Sequence, residues 1–404
     1  MTTQQKSGAL RIPVHGTISP KFEAVKKAFI RNFTHRNELG AAVCMYHKGV
    51  KVVDLWGGYT DKTYLHTGEA DTMVGVFSTT KGVSSLALAL LHSRGKLDFD
   101  ETVAHYWHEF AQNGKENITV RQLLNHQAGL HALDHKLSAK ELRDKEHLAQ
   151  VLARQKPSHE PGNEQAYHAW TIGWYISELI HQIDGRYLAQ YLQEELVAPL
   201  GIEFYIGLPP HIAAHRVATL QPIRYLDVFS RENIVPIRFW LPLIRQTTME
   251  HRSMIALKMM DRERDVYMNS DKFRSIEIGA ANGIGSARSL ATLYNEFVTG
   301  GKTLKIRPET LHELEYHPPR TVVNRLDKVL KVDLHFSLGF AKVSKDMNYC
   351  PHRDAFGTFG AGGSGAFADP SAQAAIAYTL NQMGPSLVLD PRFKALIEAF
   401  YSCI

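Results

Sequence analysis

The stretch from Val76 to Leu91 constrains this chain most. It begins as a short extended run and turns into a helix at Ser78. Past Lys81 the residues Gly82-Val-Ser-Ser-Leu-Ala-Leu-Ala-Leu-Leu91 are apolar on nearly every side. Such a helix is expected to be buried rather than amphipathic. His92-Ser-Arg-Gly95 then supplies basic residues for the last turn and a glycine stop. The rest of the chain must wrap this helix.

Its mouth carries Ser78-x-x-Lys81. Residues i and i+3 share a helical face, so the hydroxyl and the amine can meet. The helix N-terminus adds partial positive charge and free N–H groups. That field and burial both favour a neutral lysine. A neutral lysine beside a serine activates a nucleophile without histidine. The spacing alone is weak, because Ser93-x-x-Lys96 repeats it across Gly95, where it has no helical meaning. The position at the mouth of a buried helix gives the first pair its weight.

At 404 residues the chain can bury a large core and is expected to form two lobes. With 44% apolar and 22% charged residues it is an ordinary globular sequence. A net charge of +5 is too small for this length to suggest a nucleic-acid binder. Cys44, Cys350 and Cys403 are odd in number and far apart, so neither a disulfide framework nor a cysteine metal site is expected. The polar start, the absence of an apolar run of about 18 residues and the cysteine usage predict a cytoplasmic protein without a membrane span.

In chain order, residues 1–18 read as an extended arm. Ser19 caps an expected helix from Pro20 to about Phe33. Gly40–Tyr46 and Val50–Trp56 read as a hairpin turning at His47-Lys48-Gly49. Thr119 opens a short helix ended by Gly129, and 138–155 reads as a charged surface helix. Further helices are expected to about Ile183, from Gly185 through Leu196, from Ala287 to about Val298, and over 307–316. Strands return at His335–Val343, Ser364–Asp369 and Ala374–Asn381, and a last helix runs from about Pro391 to Tyr401. Strand-rich ends around a helical middle predict an α/β fold of the α+β type. An antiparallel sheet built from both ends (1–75 with 335–404) is flanked by terminal helices. A large helical insertion (76–334) packs on its other side. The Ser78 helix lies at the seam, where pockets form.

A serine nucleophile also needs a proton relay and an oxyanion hole. Tyr167 offers a phenol that could shuttle a proton if a nearby ammonium lowered its pKa. Otherwise it is a core tyrosine. Phe356-Gly-Thr-Phe-Gly-Ala-Gly-Gly-Ser-Gly365 leads into an expected edge strand and allows backbone N–H groups to face a substrate. No glycine-rich loop runs into a Lys-Ser/Thr helix start, which argues against a phosphate cradle. No Gly-x-Ser-x-Gly elbow is present, which argues against an α/β-hydrolase. His126, His131 and His135, like His312-Glu313…His317, fit no zinc pattern, so no metal and no cofactor is expected.

These pieces in this order resemble the class C β-lactamase-like serine hydrolases, and most closely the family VIII carboxylesterases. The resemblance includes Glu38-Leu-Gly-Ala-Ala, Asp54-Leu-Trp-Gly-Gly-Tyr, Phe77-Ser-Thr-Thr-Lys-Gly, Thr119-Val-Arg-Gln-Leu-Leu-Asn-His-Gln-Ala-Gly-Leu and Tyr167-His-Ala. It continues through Ala281-Asn-Gly-Ile-Gly-Ser and Gly360-Ala-Gly-Gly-Ser…Ala368-Asp-Pro. It implies that Ser78 is acylated, that Lys81 and Tyr167 are the base pair, and that the N–H groups of Ser78 and Ala361 form the oxyanion hole. Two positions depart from the β-lactamases of this class. Ala169 replaces the asparagine of Tyr-x-Asn, and Thr358 replaces the cation of Lys-Thr-Gly or His-x-Gly. Both losses point from β-lactams and D-peptides toward neutral esters.

The expected activity is hydrolysis of small or medium-chain carboxylic esters, a small-molecule substrate with no nucleic-acid partner. Ala169, Thr358 and Gly360 are expected at the substrate. Residues 211–264, with Phe239 and Trp240, form either a cap that walls the acyl chain or ordinary core. The competing readings are an acyltransferase using the same acyl-enzyme, a weak β-lactamase, and a non-catalytic scaffold of penicillin-binding type.

Overall fold

Both ends of the chain supply one antiparallel sheet. The computed structural model describes residues 12–223 and 268–404, apart from Lys136, Ala139 and Leu387. The N-terminal part gives β1 (Val14–Ile18), β2 (Gly40–His47) and β3 (Val50–Gly58). The C-terminal part gives β7 (His335–Ser337), β8 (Phe340–Lys342), β9 (Phe356–Phe359), β10 (Gly365–Asp369) and β11 (Ala374–Leu380). The order is β1-β3-β2-β11-β10-β9-β8-β7. The two ends meet where β2 pairs with β11, with Cys44 opposite Ala377. A small second sheet joins β4 (Val74–Gly75), β6 (Gly283–Gly285) and β5 (Phe204–Ile206) in that order.

The terminal helices, Glu23–His35 and Pro391–Tyr401, pack together on one face of the large sheet. Phe22, Phe29, Phe393 and Phe400 fill the layer between them. Helix Ala287–Val298 covers the other face, against β2, β10 and β11. The central helix, Thr79–Ser93, with Ser78 at its N-cap, also reaches the large sheet, at β8, β9 and β10. It packs on helices Thr171–Asp184, Leu188–Leu192 and Pro308–Glu315. Every residue from Thr79 to Leu91 is buried, as the apolar run required. Each leucine of Leu86, Leu88 and Leu90, at 0% exposure, contributes roughly 1.5–3 kcal/mol.

Several elements differ from the sequence reading. The extended arm ends in β1, an edge strand against β3. His335–Val343 is a hairpin rather than one strand, because Leu338 (φ 50°) and Gly339 (φ 84°) turn the chain. The glycine-rich loop does not enter an edge strand. It joins β9 to β10, and β10 is paired on both sides. The charged helix begins only at Lys145, where Asp144 caps it. The helix expected from Gly185 starts at Leu188 and passes through a π-turn at Gln193–Val197. Residues 224–267, most of the expected cap and both Phe239 and Trp240, lie outside the described residues.

Candidate active site

The chain turns sharply into the central helix. Phe77 adopts φ 47°, a left-handed conformation that is costly for a large side chain. The turn leaves Ser78 at the helix mouth. Lys81, one turn on, is 3% exposed, and its Nζ lies 3.0 Å from the Ser78 Oγ. The same Nζ donates to the carbonyls of Ala169 at 2.8 Å and Ala280 at 2.9 Å. Burial holds the Lys81 pKa well below 10.5. A neutral amine has two N–H groups and one lone pair. Carbonyls can only accept, so they take the two N–H groups. The lone pair is then left facing the Ser78 hydroxyl.

Tyr167 completes the group through its hydrogen bond to Ser78. Its ring is stacked on Phe336, with centroids 5.7 Å apart, and meets the edge of His126 at 4.9 Å. Asp327, fully buried, accepts its backbone N–H at 3.2 Å. The expectation of a phenol with a lowered pKa is wrong. Burial pushes the Tyr167 phenol up, against the effect of its hydrogen bond with Ser78, and the Asp327 charge raises it further. The Lys81 Nζ sits over the ring, 4.8 Å from its centroid, and is itself inclined to be neutral. Burial therefore favours the neutral form of both groups, the phenol of Tyr167 and the amine of Lys81.

The glycine-rich loop approaches from the sheet. The N–H of Gly363 donates to the Gly360 carbonyl at 3.0 Å, closing a turn with Ala361 and Gly362 at its corner. Gly362 has φ 91°, which the third position of a type II turn requires. The peptide unit from Gly360 to Ala361 is planar and trans, so its N–H points opposite to its carbonyl. That carbonyl faces into the turn, so the Ala361 N–H faces out. Ser364 fastens the loop to the helix mouth. Its Oγ donates to the Val76 carbonyl at 2.7 Å and lies 3.0 Å from the Thr79 Oγ1.

Ser78, Lys81, Tyr167, Ala169, Thr358 and Ala361 line one cavity, walled by Phe77, Trp170, Leu330, Leu334, Phe336 and Met347. Among the described lining residues Lys81 is the sole lysine, arginine, histidine, aspartate or glutamate. Ala169 contributes its methyl group to the wall and its carbonyl to Lys81. The Thr358 hydroxyl is already engaged, donating to the Thr79 carbonyl at 3.0 Å with the Tyr294 hydroxyl at 3.3 Å. Gly82 permits this approach, since a Cβ there would lie 2.4 Å from the Thr358 Oγ1. Gly360 does not line the cavity and serves the turn. The three neighbouring histidines go separate ways. His126 and His131 are buried, whereas His135 pairs on the surface with Glu141, which His147 also approaches.

Sequence reasoning missed Ala280, Asp327, Phe336 and Ser364. Ser364 stood in the Gly360–Ser364 run, its single polar residue. The others act through a backbone atom or from segments without a distinguishing pattern.

Residues 27–399 match the protein family described as Beta-lactamase. The chain is 33% identical to "Esterase/beta-lactamase LipL" of Mycobacterium tuberculosis over 93% of its own length and 85% of that protein. A solved penicillin-binding protein homolog from Caulobacter crescentus superposes with a TM-score of 0.83 at 33% identity, over 97% of this chain and all of that one. The structure of a family VIII carboxylesterase gives 0.81 at 34% identity, with the same coverage. The chain belongs to the β-lactamase family, and it is a serine hydrolase of that family.

Proposed function

We propose that this enzyme hydrolyses neutral carboxylic esters of small or medium acyl chain through an acyl-enzyme on Ser78. The observation that carries this is the Lys81 cradle of two carbonyls and one hydroxyl. The Ser78 proton passes to the Lys81 Nζ as Oγ attacks the ester carbonyl. Negative charge on the carbonyl oxygen is met by the N–H groups of Ser78 and Ala361. The intermediate collapses and the alcohol leaves. It takes a proton from the Tyr167 phenol, which Lys81 restores. Water then repeats the sequence on the acyl-enzyme, and the carboxylic acid departs.

The cavity supports a neutral substrate. A substrate carboxylate would meet no basic side chain but the Lys81 amine, itself inclined to be neutral, among the described lining residues, and the Thr358 hydroxyl is spent on the helix. An amide would meet the methyl of Ala169 instead of a donor. Each acyl methylene buried against the Leu330, Leu334 and Met347 wall should contribute up to about 0.8 kcal/mol until the wall is full. The two lobes, 1–75 with 335–404 and 76–334, would then close on the ester from either side. We place the protein in the cytoplasm because its cysteines are free and Cys44 and Cys350 are buried. Among the described residues no helix is long and apolar enough to cross a membrane.

The test is a series of p-nitrophenyl esters from C2 to C12 beside a chromogenic cephalosporin, with intact mass after a fluorophosphonate. The expected result is one adduct on Ser78, kcat/KM that rises and then falls with acyl length, and only trace cephalosporin turnover. Cephalosporin turnover equal to the best ester would overturn the substrate assignment. Absence of the adduct would leave a non-catalytic scaffold.

A further inference from the structure

Arg392 lies in the last helix, on the far side of the large sheet, yet it ends on the loop that carries Ala361. It is 4% exposed. Its Nη2 donates to the Gly362 carbonyl at 2.9 Å and to the Asp390 Oδ2 at 3.0 Å. Its Nε donates to the Asp390 Oδ1 at 2.9 Å. Its Nη1 donates to the Gln382 carbonyl at 2.9 Å and to the Glu38 Oε1 at 3.2 Å. A guanidinium has five N–H groups in a rigid plane, and all five are used here. The group cannot rotate without breaking several bonds.

We propose that Arg392 is a positioning residue for the oxyanion contact, a reading that rests on the role given above to the Ala361 N–H. Two planar trans peptides carry the effect. Arg392 and the Gly384 N–H, at 2.8 Å, fix the Gly362 carbonyl. That carbonyl sets the opposite end of its peptide, the Gly363 N–H, which holds the Gly360 carbonyl. The Gly360 carbonyl in turn sets the opposite end of its own peptide, the Ala361 N–H. Asp390 aims the guanidinium and crowds the loop, since a Cβ on Gly363 would lie 2.9 Å from its carboxylate. Glu38 and the Tyr378 hydroxyl, joined by a short hydrogen bond, close the far side. The Glu38-Leu-Gly run of the sequence thus has a place in the site, behind the loop.

The position of an oxyanion donor matters in the transition state more than in substrate binding, so its loss lowers kcat and spares KM. Arg392→Lys keeps the charge but lacks the planar fork. It should lower kcat for a p-nitrophenyl ester roughly ten- to hundredfold, with KM within about threefold and a cooperative melt retained. Asp390→Asn should give a smaller loss in the same parameter, and it decides the matter if Arg392→Lys does not fold. A folded variant that melts earlier but keeps the parent kcat would reduce Arg392 to a structural role and overturn the proposal. Ala361→Pro, which removes the N–H itself, separates the two levels. Parent-like kcat there would defeat the oxyanion reading. A collapse of kcat there beside parent-like kcat in Arg392→Lys would defeat the positioning role alone.

Discussion

Lys81 and Lys115 are two buried lysines with nearly the same surroundings and different prospects. Lys115 is 0% exposed and donates to the carbonyls of Gln112, Ala153 and Gln155 at 2.9, 2.7 and 2.9 Å. Its Nζ sits 5.1 Å from the Phe110 ring centroid. Lys81 likewise sits over an aromatic ring and donates to two carbonyls, but its third partner is a hydroxyl. Burial lowers both amines, Lys115 to about 8 and Lys81 well below its ordinary value. Three carbonyls demand three N–H groups, so the Lys115 cradle is complete only around an ammonium. Two carbonyls and a hydroxyl are equally satisfied by a neutral amine, because the hydroxyl can donate. Burial alone yields a weakened cation. Exchanging one acceptor for a serine leaves the lone pair of the amine facing a hydroxyl, which is what the proposed mechanism requires.

Breaking the catalytic cradle should have the largest effect. Ser78→Ala and Lys81→Ala should each lower ester turnover by at least about a thousandfold, and the double variant should be no worse than the poorer single one. Turnover above that level in Ser78→Ala would remove the mechanism. Tyr167→Phe preserves the stack on Phe336 and deletes only the hydroxyl, so kcat should fall roughly a hundredfold. A kcat within about threefold of the parent would return Tyr167 to a packing role.

Breaking the structural cradle should move stability instead. Lys115→Met leaves three buried carbonyls without their donor and should cost about 2–4 kcal/mol in urea unfolding. Its kcat/KM, measured below the melt, should stay within about twofold. A large kcat loss with unchanged stability would contradict the contrast between the two lysines.

The smallest effect concerns Glu38, which burial pushes up to about 7 even though Arg392 pulls it down. The folded state holds this proton more tightly than the unfolded state, with its ordinary value near 4.5. The stabilising contribution is therefore full below about 4.5 and is lost as pH rises through about 7. Glu38→Gln, neutral throughout, should flatten the loss of stability that the parent shows as pH rises from about 4.5 through about 7, read by urea unfolding across that range. A loss that is steeper in Glu38→Gln than in the parent would show that the sign is wrong.

The contact of Ser78 with Lys81 was legible because a helix fixes how residues three apart meet, and because nothing but burial explains the run behind them. The two-ended sheet was legible from the hairpin at Lys48-Gly49 and the strands after His335. That Tyr167 and Ala361 share a cavity with Ser78 was legible only through the resemblance, since an isolated tyrosine and an alanine in a glycine loop carry no signal of their own. The lysine cradle was not legible. Ala169 and Ala280 act through carbonyls, which every residue possesses, and only the fold brings them to Lys81. The direction of the Tyr167 shift was misread for the same reason. Sequence placed a cation near the phenol, whereas the fold sets the amine over the ring and Asp327 behind the backbone. Arg392 showed only as a residue in the last helix, because its target lies across the sheet.

The central claim is that Lys81 is the base and is neutral when it acts. The pH dependence of the second-order rate of Ser78 phosphonylation by a neutral fluorophosphonate measures that directly, because no leaving alcohol or water step enters. The rate should rise with pH and level off well below 10.5, the ordinary lysine value, and Lys81→Ala should abolish the plateau. A rate that climbs with unit slope until about 10.5 would show an ordinary ammonium at Lys81 and contradict the account.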